Sequence, residues 1–234
     1  MSLIGTTNEE KIWNYFIAKG LNNFGCAGLM GNLYAESALN PINLQQTFEK
    51  KLGYKDKTYT EAIDNGSYTN FVRDFAGYGL AQWTYWSRKQ NLLNYAKLCS
   101  KSIGDLEMQL DFLWKELCES YKSVLSALQS ANSVLVASNV VLFQFERPAN
   151  QSESVQKQRS KYGQAFYDKF VKEETDMTEA KKDNIPDLWA KEAVDWAVKN
   201  KILFGDDRGD YKLHDNCTRQ EMLVFLYRLY NLVK

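Results

Sequence analysis

The sequence predicts a mainly α fold of the α+β class: a helical domain with a small loop and β-hairpin region, followed by a small helical C-terminal module. Three observations carry this. Apolar residues recur at helical spacing through much of the chain, as at Leu106, Leu110, Leu113 and Leu117, which fall at i, i+4, i+7 and i+11. Residues 43–77 lack that period and are rich in turn formers such as "DNGSYTN". A charged stretch, "KEETDMTEAKKDNIP" at 172–186, has no aromatic or branched aliphatic residue before Ile185 and reads as a linker. A chain of 234 residues holds one domain of about 150 to 180 residues and a small module. The expected divisions are a domain over 1–172, a linker over 173–185 and a module over 186–234.

Thr7 and Glu10 form a capping box, and Ile12, Tyr15, Phe16 and Lys19 follow before Gly20, so a helix of about 12 residues stops at glycine. A second helix runs from about Asn23 to Leu39, with Gly28 and Gly31 allowing a neighbouring backbone to come close. Residues 43–77 are expected to be loops with a short hairpin. The chain is helical again from Ser87, where "SRKQ" offers another capping box ahead of Leu92, Leu93, Tyr95, Ala96 and Cys99. The leucine-spaced helix over 106–117 and a shorter one through Val124, Leu125 and Leu128 come next. "SVLVASNVVLFQF" has the β-branched content of a strand, but 13 residues of all-round apolarity suit a buried helix, the assignment taken here. Val155, Arg159, Tyr162, Phe166 and Phe170 mark the domain's last helix. The tail holds "DLWAKEAVDWAVKNK", with Trp189, Ala193 and Trp196 on one face. A second tail helix opens with the capping box Thr218 to Glu221 and runs through Met222, Phe225, Leu226 and Leu229. Pro41, Pro148 and Pro186 read as boundaries, since proline lacks an amide donor and pushes its predecessor out of the α region.

Composition narrows the chemistry. Lys and Arg together number 29, as do Asp and Glu, so no basic field draws the chain to nucleic acid or an anionic membrane. No run of 18 apolar residues appears, so membrane insertion is not expected. "MSLIGTTNEEKIW" lacks a basic segment followed by an apolar one, which predicts synthesis in the cytoplasm without a secretory signal. Cys26, Cys99, Cys118 and Cys217 lie far apart with no CxxC, and reduced thiols are expected. His214 is the single histidine. Catalytic zinc usually takes two or three His, and HExxH is absent, so no metal and no cofactor is expected. Ser-His-Asp or Cys-His catalysis would need His214 to meet its partner from near the chain's end. Carboxylate chemistry is what remains easy. The six Trp and fourteen Tyr suit core filling, or a groove that grips sugars with flat amphipathic rings.

Glu36, in "MGNLYAESALNP", is the acid that most needs explaining. Leu29, Leu33 and Glu36 fall at i, i+4 and i+7, so Glu36 sits on or near the core face of its helix. A carboxyl at the end of a half-buried helix can have the raised pKa that a general acid needs. Hydrogen bonding at the helix end, or escape to solvent, are the structural alternatives. The second informative stretch is "GYGLAQWTYWSRK" at 77–89, where Gly77 and Gly79 bracket Tyr78, and Gln82 and Trp83 follow at once. Such a loop offers an amide and an aromatic ring to a sugar, or simply makes a turn before a helix.

Together, "GNLYAESALNP" and "GYGLAQWT" resemble the phage tail-type lysozymes of the lysozyme-like superfamily, in which a helix ends in Glu-Ser and a later Gly-Leu-x-Gln segment lines the substrate groove. "RKQNLLNYA" and the "FERP" at 145–148 fit as well, and the resemblance covers roughly residues 8 to 170. It implies a lysozyme-like helical domain that cleaves the β-1,4 glycan strands of peptidoglycan. Glu36 would be the general acid, and Ser37, Tyr78, Gln82 and Trp83 would bind the substrate in the groove. A hydrolase of this type wants a second acid about 5 to 9.5 Å across the cleft. Glu49, Asp56, Glu61, Asp64 and Asp74 lie in the loop-rich stretch, and Asp74, nearest in sequence to the glycine loop, is taken as the second catalytic acid. Lytic transglycosylases of the superfamily manage with one Glu and leave an anhydro-sugar, so both outcomes stay open. Glu146 of "FERP" is expected to pair with a basic neighbour or to cap.

The tail "LWAKEAVDWAVKNKILFGDDRGDYKLHDNCTRQEM" resembles a single S-layer-homology-type repeat, with "TRQE" matching that pattern's TRxE. It implies binding to a secondary cell-wall polymer, or a homo-oligomer formed through 186–234. The combined expectation is a phage or prophage endolysin acting on the wall after release. A tail-associated lysozyme is the nearest alternative, and a catalytically inactive wall-binding or structural phage protein is the rival from another class.

Overall fold

In the computed structural model, which describes residues 3–172, 183–207 and 209–234, the chain divides into two units, 1–169 and 170–234. The first is built around one helix. Helix α1 (Asn8–Ala18) is closed at its start by the Thr7–Glu10 capping box. Helix α2 (Asn23–Ser37) buries every residue from Gly25 to Leu33, as a helix apolar on all sides must. Helices α7 (Lys122–Gln129), α8 (Val134–Val140) and α9 (Glu153–Tyr167) pack around it together with α1. Glycines on α2 set how closely they come. A Cβ at Gly25 would meet Leu128 O at 1.9 Å, one at Gly28 would meet Ala137 Cβ at 2.5 Å, and one at Gly31 would meet Arg159 O at 2.5 Å. Backbone therefore lies against backbone along this seam.

Helix α5 (Trp86–Leu98) and α6 (Leu106–Glu119) complete the core, with Leu110, Leu113 and Leu117 buried as their spacing predicts. The stretch "SVLVASNVVLFQF" is helical, but it changes type: α8 passes into a π-helical turn over Val141–Glu146. A second π-helical turn, Asp168–Lys172, follows α9.

Three expectations need correction. Residues 43–77 hold two α-helices, α3 (Gln46–Leu52) and α4 (Asp56–Asp64), and a 3-10 turn over Phe71–Arg73, with no hairpin. Pairing there is limited to single bridges from Tyr78 to Leu44 and to Trp83. Helix α4 forms because Tyr59, Ala62 and Ile63 share a face that the core buries. The "SRKQ" box does not form; α5 begins one residue earlier, and its N-cap, Tyr85, makes no side-chain cap. Helix α2 stops at Ser37, because Ala38 and Leu39 take left-handed conformations at φ 51° and 59°.

Of the expected linker, residues 173–182 lie outside the described residues. The second unit contains α10 (Lys191–Lys199) and α11 (Arg219–Leu232), and Thr218 and Glu221 form the predicted capping box. Arg228 joins the two parts of this unit by donating to Ile202 O at 2.8 Å and lying over the Phe204 ring. Its apolar side chains are largely uncovered: Trp189, Leu223 and Tyr227 are 87%, 66% and 68% exposed. Among the described residues no helix is long and apolar enough to cross a membrane.

Candidate functional site

Glu36 is the next-to-last residue of α2, and its position is decided by how α9 approaches that helix. Gly31 of α2 faces Gly163 of α9 so closely that a Cβ on Gly31 would sit 2.5 Å from Gly163 N. At that separation the long Arg159 side chain of α9 runs alongside α2 and reaches its end. Nη2 of Arg159 donates to Glu36 Oε1 at 2.5 Å, and Nη1 donates to Asn32 Oδ1 at 3.2 Å. Asn32 is itself held by donating to Gly28 O and to Ser138 O and Oγ. Glu36 thus keeps 20% of its side chain exposed while its partner keeps 10%. The Glu36 side chain is thus partly open to solvent, and the guanidinium that fixes its direction is nearly enclosed.

Ser37 does not face outward. It is buried, and its hydroxyl bridges Leu33 O and Leu80 O at 3.1 and 2.9 Å. That bond ties the end of α2 to the glycine loop, so its role is to hold the two motifs together rather than to contact a sugar.

The loop behaves differently from expectation. Tyr78 and Trp83 have no exposed surface. The Tyr78 hydroxyl lies 2.7 Å from Thr60 Oγ1, and Trp83 Nε1 donates to Glu116 Oε2 at 2.9 Å. These rings are core that supports the loop, not groove lining. Gln82 is half-buried at φ 44°, and its Nε2 donates to Asn43 O, Asn43 Oδ1 and Gly79 O. A left-handed non-glycine residue costs about 1–3 kcal/mol and persists where surrounding bonds over-determine it.

Asp74 is also corrected. Its side chain has no exposed surface and forms an ion pair with Lys89, equally enclosed, at 2.5 Å. Tyr59 and Tyr68 hydroxyls and Ala76 N–H donate to the same carboxylate. Burial pushes the Lys89 ammonium down, and the bond to Asp74 opposes it. This is a satisfied internal salt bridge, which cannot meet a substrate across a cleft. Lys89 also donates to Ala76 O at 2.8 Å, so the pair pins the loop on both sides of Phe75. Phe75 adopts φ 63° and is 72% exposed. Tyr85 and Trp86, rings 6.0 Å apart, are exposed as well. The exposed aromatic surface here therefore belongs to Phe75, Tyr85 and Trp86 and not to Tyr78 or Trp83.

The other acids of the stretch are occupied. Asp56 accepts from Asn40 Nδ2 and Leu44 N–H, and Asp64 from Ser102 Oγ and Ile103 N–H. Glu49 pairs with Lys55 and Glu61 with Lys57.

Glu146 contradicts its expected pairing or capping role. It ends the π-helical turn, and its Oε1 is buried with no hydrogen-bond partner among the described residues. Its pKa is pushed up to about 8, first by burial and then by the charge of Glu36, against the pull of Arg88 and Arg159. Sequence reading missed Arg159 as a site residue, though a signal existed. Arg159 interrupts the apolar face of Val155, Tyr162 and Phe166 much as Glu36 interrupts that of Leu29 and Leu33. Two opposite charges on two core faces point to each other.

Residues 7–170 match the model of a protein family described as phage tail lysozyme. None of the curated proteins compared with the chain matches it.

Proposed function

Because the chain belongs to the phage tail lysozyme family, we propose that it is a phage or prophage endolysin that cleaves the β-1,4 glycan strands of peptidoglycan with Glu36 as general acid. The observation that supports this most is the placement of Glu36: a carboxyl at the broken end of the central helix, part-exposed and held in direction by Arg159. A general acid has to be positioned within hydrogen-bond reach of the oxygen it protonates, and a carboxyl fixed on a part-exposed side chain suits that need. Gln82 is the predicted loop residue that keeps some exposure, and Phe75, Tyr85 and Trp86 offer rings on which sugar faces stack. Release of soluble fragments from purified peptidoglycan by the wild type, and its loss in Glu36→Gln, tests the assignment.

A second reading concerns the reaction type. Asp74, the acid nearest the glycine loop, is committed to an internal partner, which favours single-Glu chemistry and a lytic transglycosylase over a paired-acid hydrolase. Mass spectrometry of the soluble products decides: anhydro-sugar ends support the transglycosylase, and reducing ends support the hydrolase.

For the second unit we propose attachment of the enzyme to a secondary cell-wall polymer or self-association, as an S-layer-homology-like module. The uncovered apolar side chains of α11 are the supporting observation, since a patch of that kind marks an interaction surface.

A further inference from the structure

Phe75 combines properties that oppose one another. Its φ of 63° lies in the left-handed region, where a bulky side chain is a steric outlier and Gly, Asn or Asp is usual. The residue is also 72% exposed, so burial of the ring does little to offset that strain. Its neighbours on either side, Asp74 and Ala76, are buried. An exposed aromatic residue thus occupies a backbone position that glycine would fill without strain.

The backbone around it is fixed from inside the protein. Asp74 Oδ1 accepts from Ala76 N–H at 3.0 Å, across Phe75. The Lys89 ammonium donates to Asp74 Oδ1 at 2.5 Å and to Ala76 O at 2.8 Å. The Tyr59 and Tyr68 hydroxyls donate to the second Asp74 oxygen. Residues in sparsely populated backbone regions persist where their surroundings over-determine them, and they cluster at binding and active sites. Lys89 also ties this segment to other exposed rings. Its N–H donates to Tyr85 O at 3.0 Å at the start of α5, where Tyr85 and Trp86 are 63% and 54% exposed. The same segment leads to the candidate acid. Five positions after Phe75, Leu80 O accepts from Ser37 Oγ at 2.9 Å, and Ser37 follows Glu36. Five residues span at most about 18 Å, so Phe75 is within reach of a polymeric substrate that extends from Glu36.

We propose that Phe75 is a binding residue for the glycan strand, its ring stacking on the face of a sugar away from the bond that is cut. This rests on reading peptidoglycan glycan as the substrate. Linked sugars present polar edges and apolar C–H faces, and a flat ring held outward matches such a face. The ion pair that holds Phe75 has no exposed side-chain surface, so this position offers stacking and not charge recognition. The strain at Phe75 is then kept for binding, not for the fold.

The test is affinity for peptide-free glycan strands prepared from purified peptidoglycan, measured by titration calorimetry. Three proteins are compared: Glu36→Gln alone, with Phe75→Gly and with Phe75→Trp. The shared Glu36 change keeps the strand uncut. Phe75→Gly removes the ring and the strain together, and Phe75→Trp restores a ring. Phe75→Gly should weaken binding by about tenfold or more, the effect of a well-placed aromatic contact, and Phe75→Trp should recover most of it. The melting temperature of Phe75→Gly should be kept or raised. Equal affinity with and without the ring overturns the proposal, as does loss of affinity in both variants. A lowered melting temperature in Phe75→Gly also overturns it, because the ring would then serve the fold. Failure of Glu36→Gln alone to bind the strands overturns the substrate reading and the proposal with it. Cleavage by Glu36→Gln overturns only the assignment of the acid, and Phe75 is then judged by the same ratios in KM.

Discussion

In the proposed reading the Glu36 side chain has two tasks, and one substitution separates them. Glu36→Gln keeps an acceptor for Arg159 but has no proton to deliver. Cleavage should fall by about 10²- to 10⁴-fold, the usual loss on removing a general acid. The loss of the charged hydrogen bond to Arg159 should lower stability by about 1–2 kcal/mol, seen as a melting-temperature drop with an unchanged circular dichroism spectrum. An enzyme retaining more than about a tenth of its rate is incompatible with Glu36 as the acid. Glu146 makes a prediction of opposite character, on stability against pH. Its folded pKa, about 8, lies above the ordinary 4.5. Between those values the unfolded chain has released the proton and the folded chain still binds it. Stability therefore falls as pH rises through that window and levels off above it. Glu146→Gln should flatten the decline, with its advantage over the wild type growing through the window and constant above about pH 8. Urea melts at three pH values check this, and parallel curves for the two proteins count against a buried, protonated Glu146.

Between elements, the α2–α9 seam carries most of the consequence. Gly31→Ala places a Cβ 2.5 Å from the Arg159 carbonyl oxygen and from Gly163 N, both backbone atoms that no rotamer change can move. Overpacking of this kind costs about 1–3 kcal/mol, occasionally more. Because α9 carries Arg159, the shift should also cut peptidoglycan cleavage, while Gly53→Ala, where a Cβ meets nothing within 4 Å but φ is +76°, should cost stability alone. Equal activity of Gly31→Ala and the wild type would show that the seam does not set the site. The helices that show a clear period in sequence, such as α6, are present at nearly their expected bounds. Helix α4 was overlooked although Tyr59, Ala62 and Ile63 have helical spacing, because the surrounding Asp, Thr and Lys mask so short a face. The left-handed pair Ala38–Leu39 could not be read from residue types that rarely adopt it.

On the scale of the whole chain, a protein truncated after Lys172 should fold and keep its activity on soluble glycan fragments while losing binding to intact walls. The contacts that hold the end of α9 lie before that point: Lys169 Nζ meets Glu9 Oε2 at 2.7 Å, and the Tyr167 ring stacks on Phe24. Unfolding of the truncated chain refutes the boundary, and undiminished wall binding refutes the targeting role. The thiols give an independent check. Cys99 and Cys217 are exposed, Cys118 is partly covered, and Cys26 is buried with its pKa pushed well up by that burial. A thiol reagent should modify Cys99 and Cys217 first, Cys118 more slowly and Cys26 only on unfolding. Finding fewer than the four free thiols after denaturation without reductant would refute this reading.

Local pattern determined the helical class, the capping boxes at Thr7 and Thr218 and Glu36 as the acid in need of a reason. Each of these rests on residues a few positions apart, where spacing alone fixes which side chains share a face. Tertiary structure decided what meets what. Asp74 became the counter-ion of Lys89, and Tyr78 and Trp83 went into the core. Arg159 arrived at Glu36 from 123 positions away. Glu146 was left among charges already engaged by others. Burial and charge pairing depend on helices that sequence distance does not order, and so the partner of an acid is settled only when those helices pack.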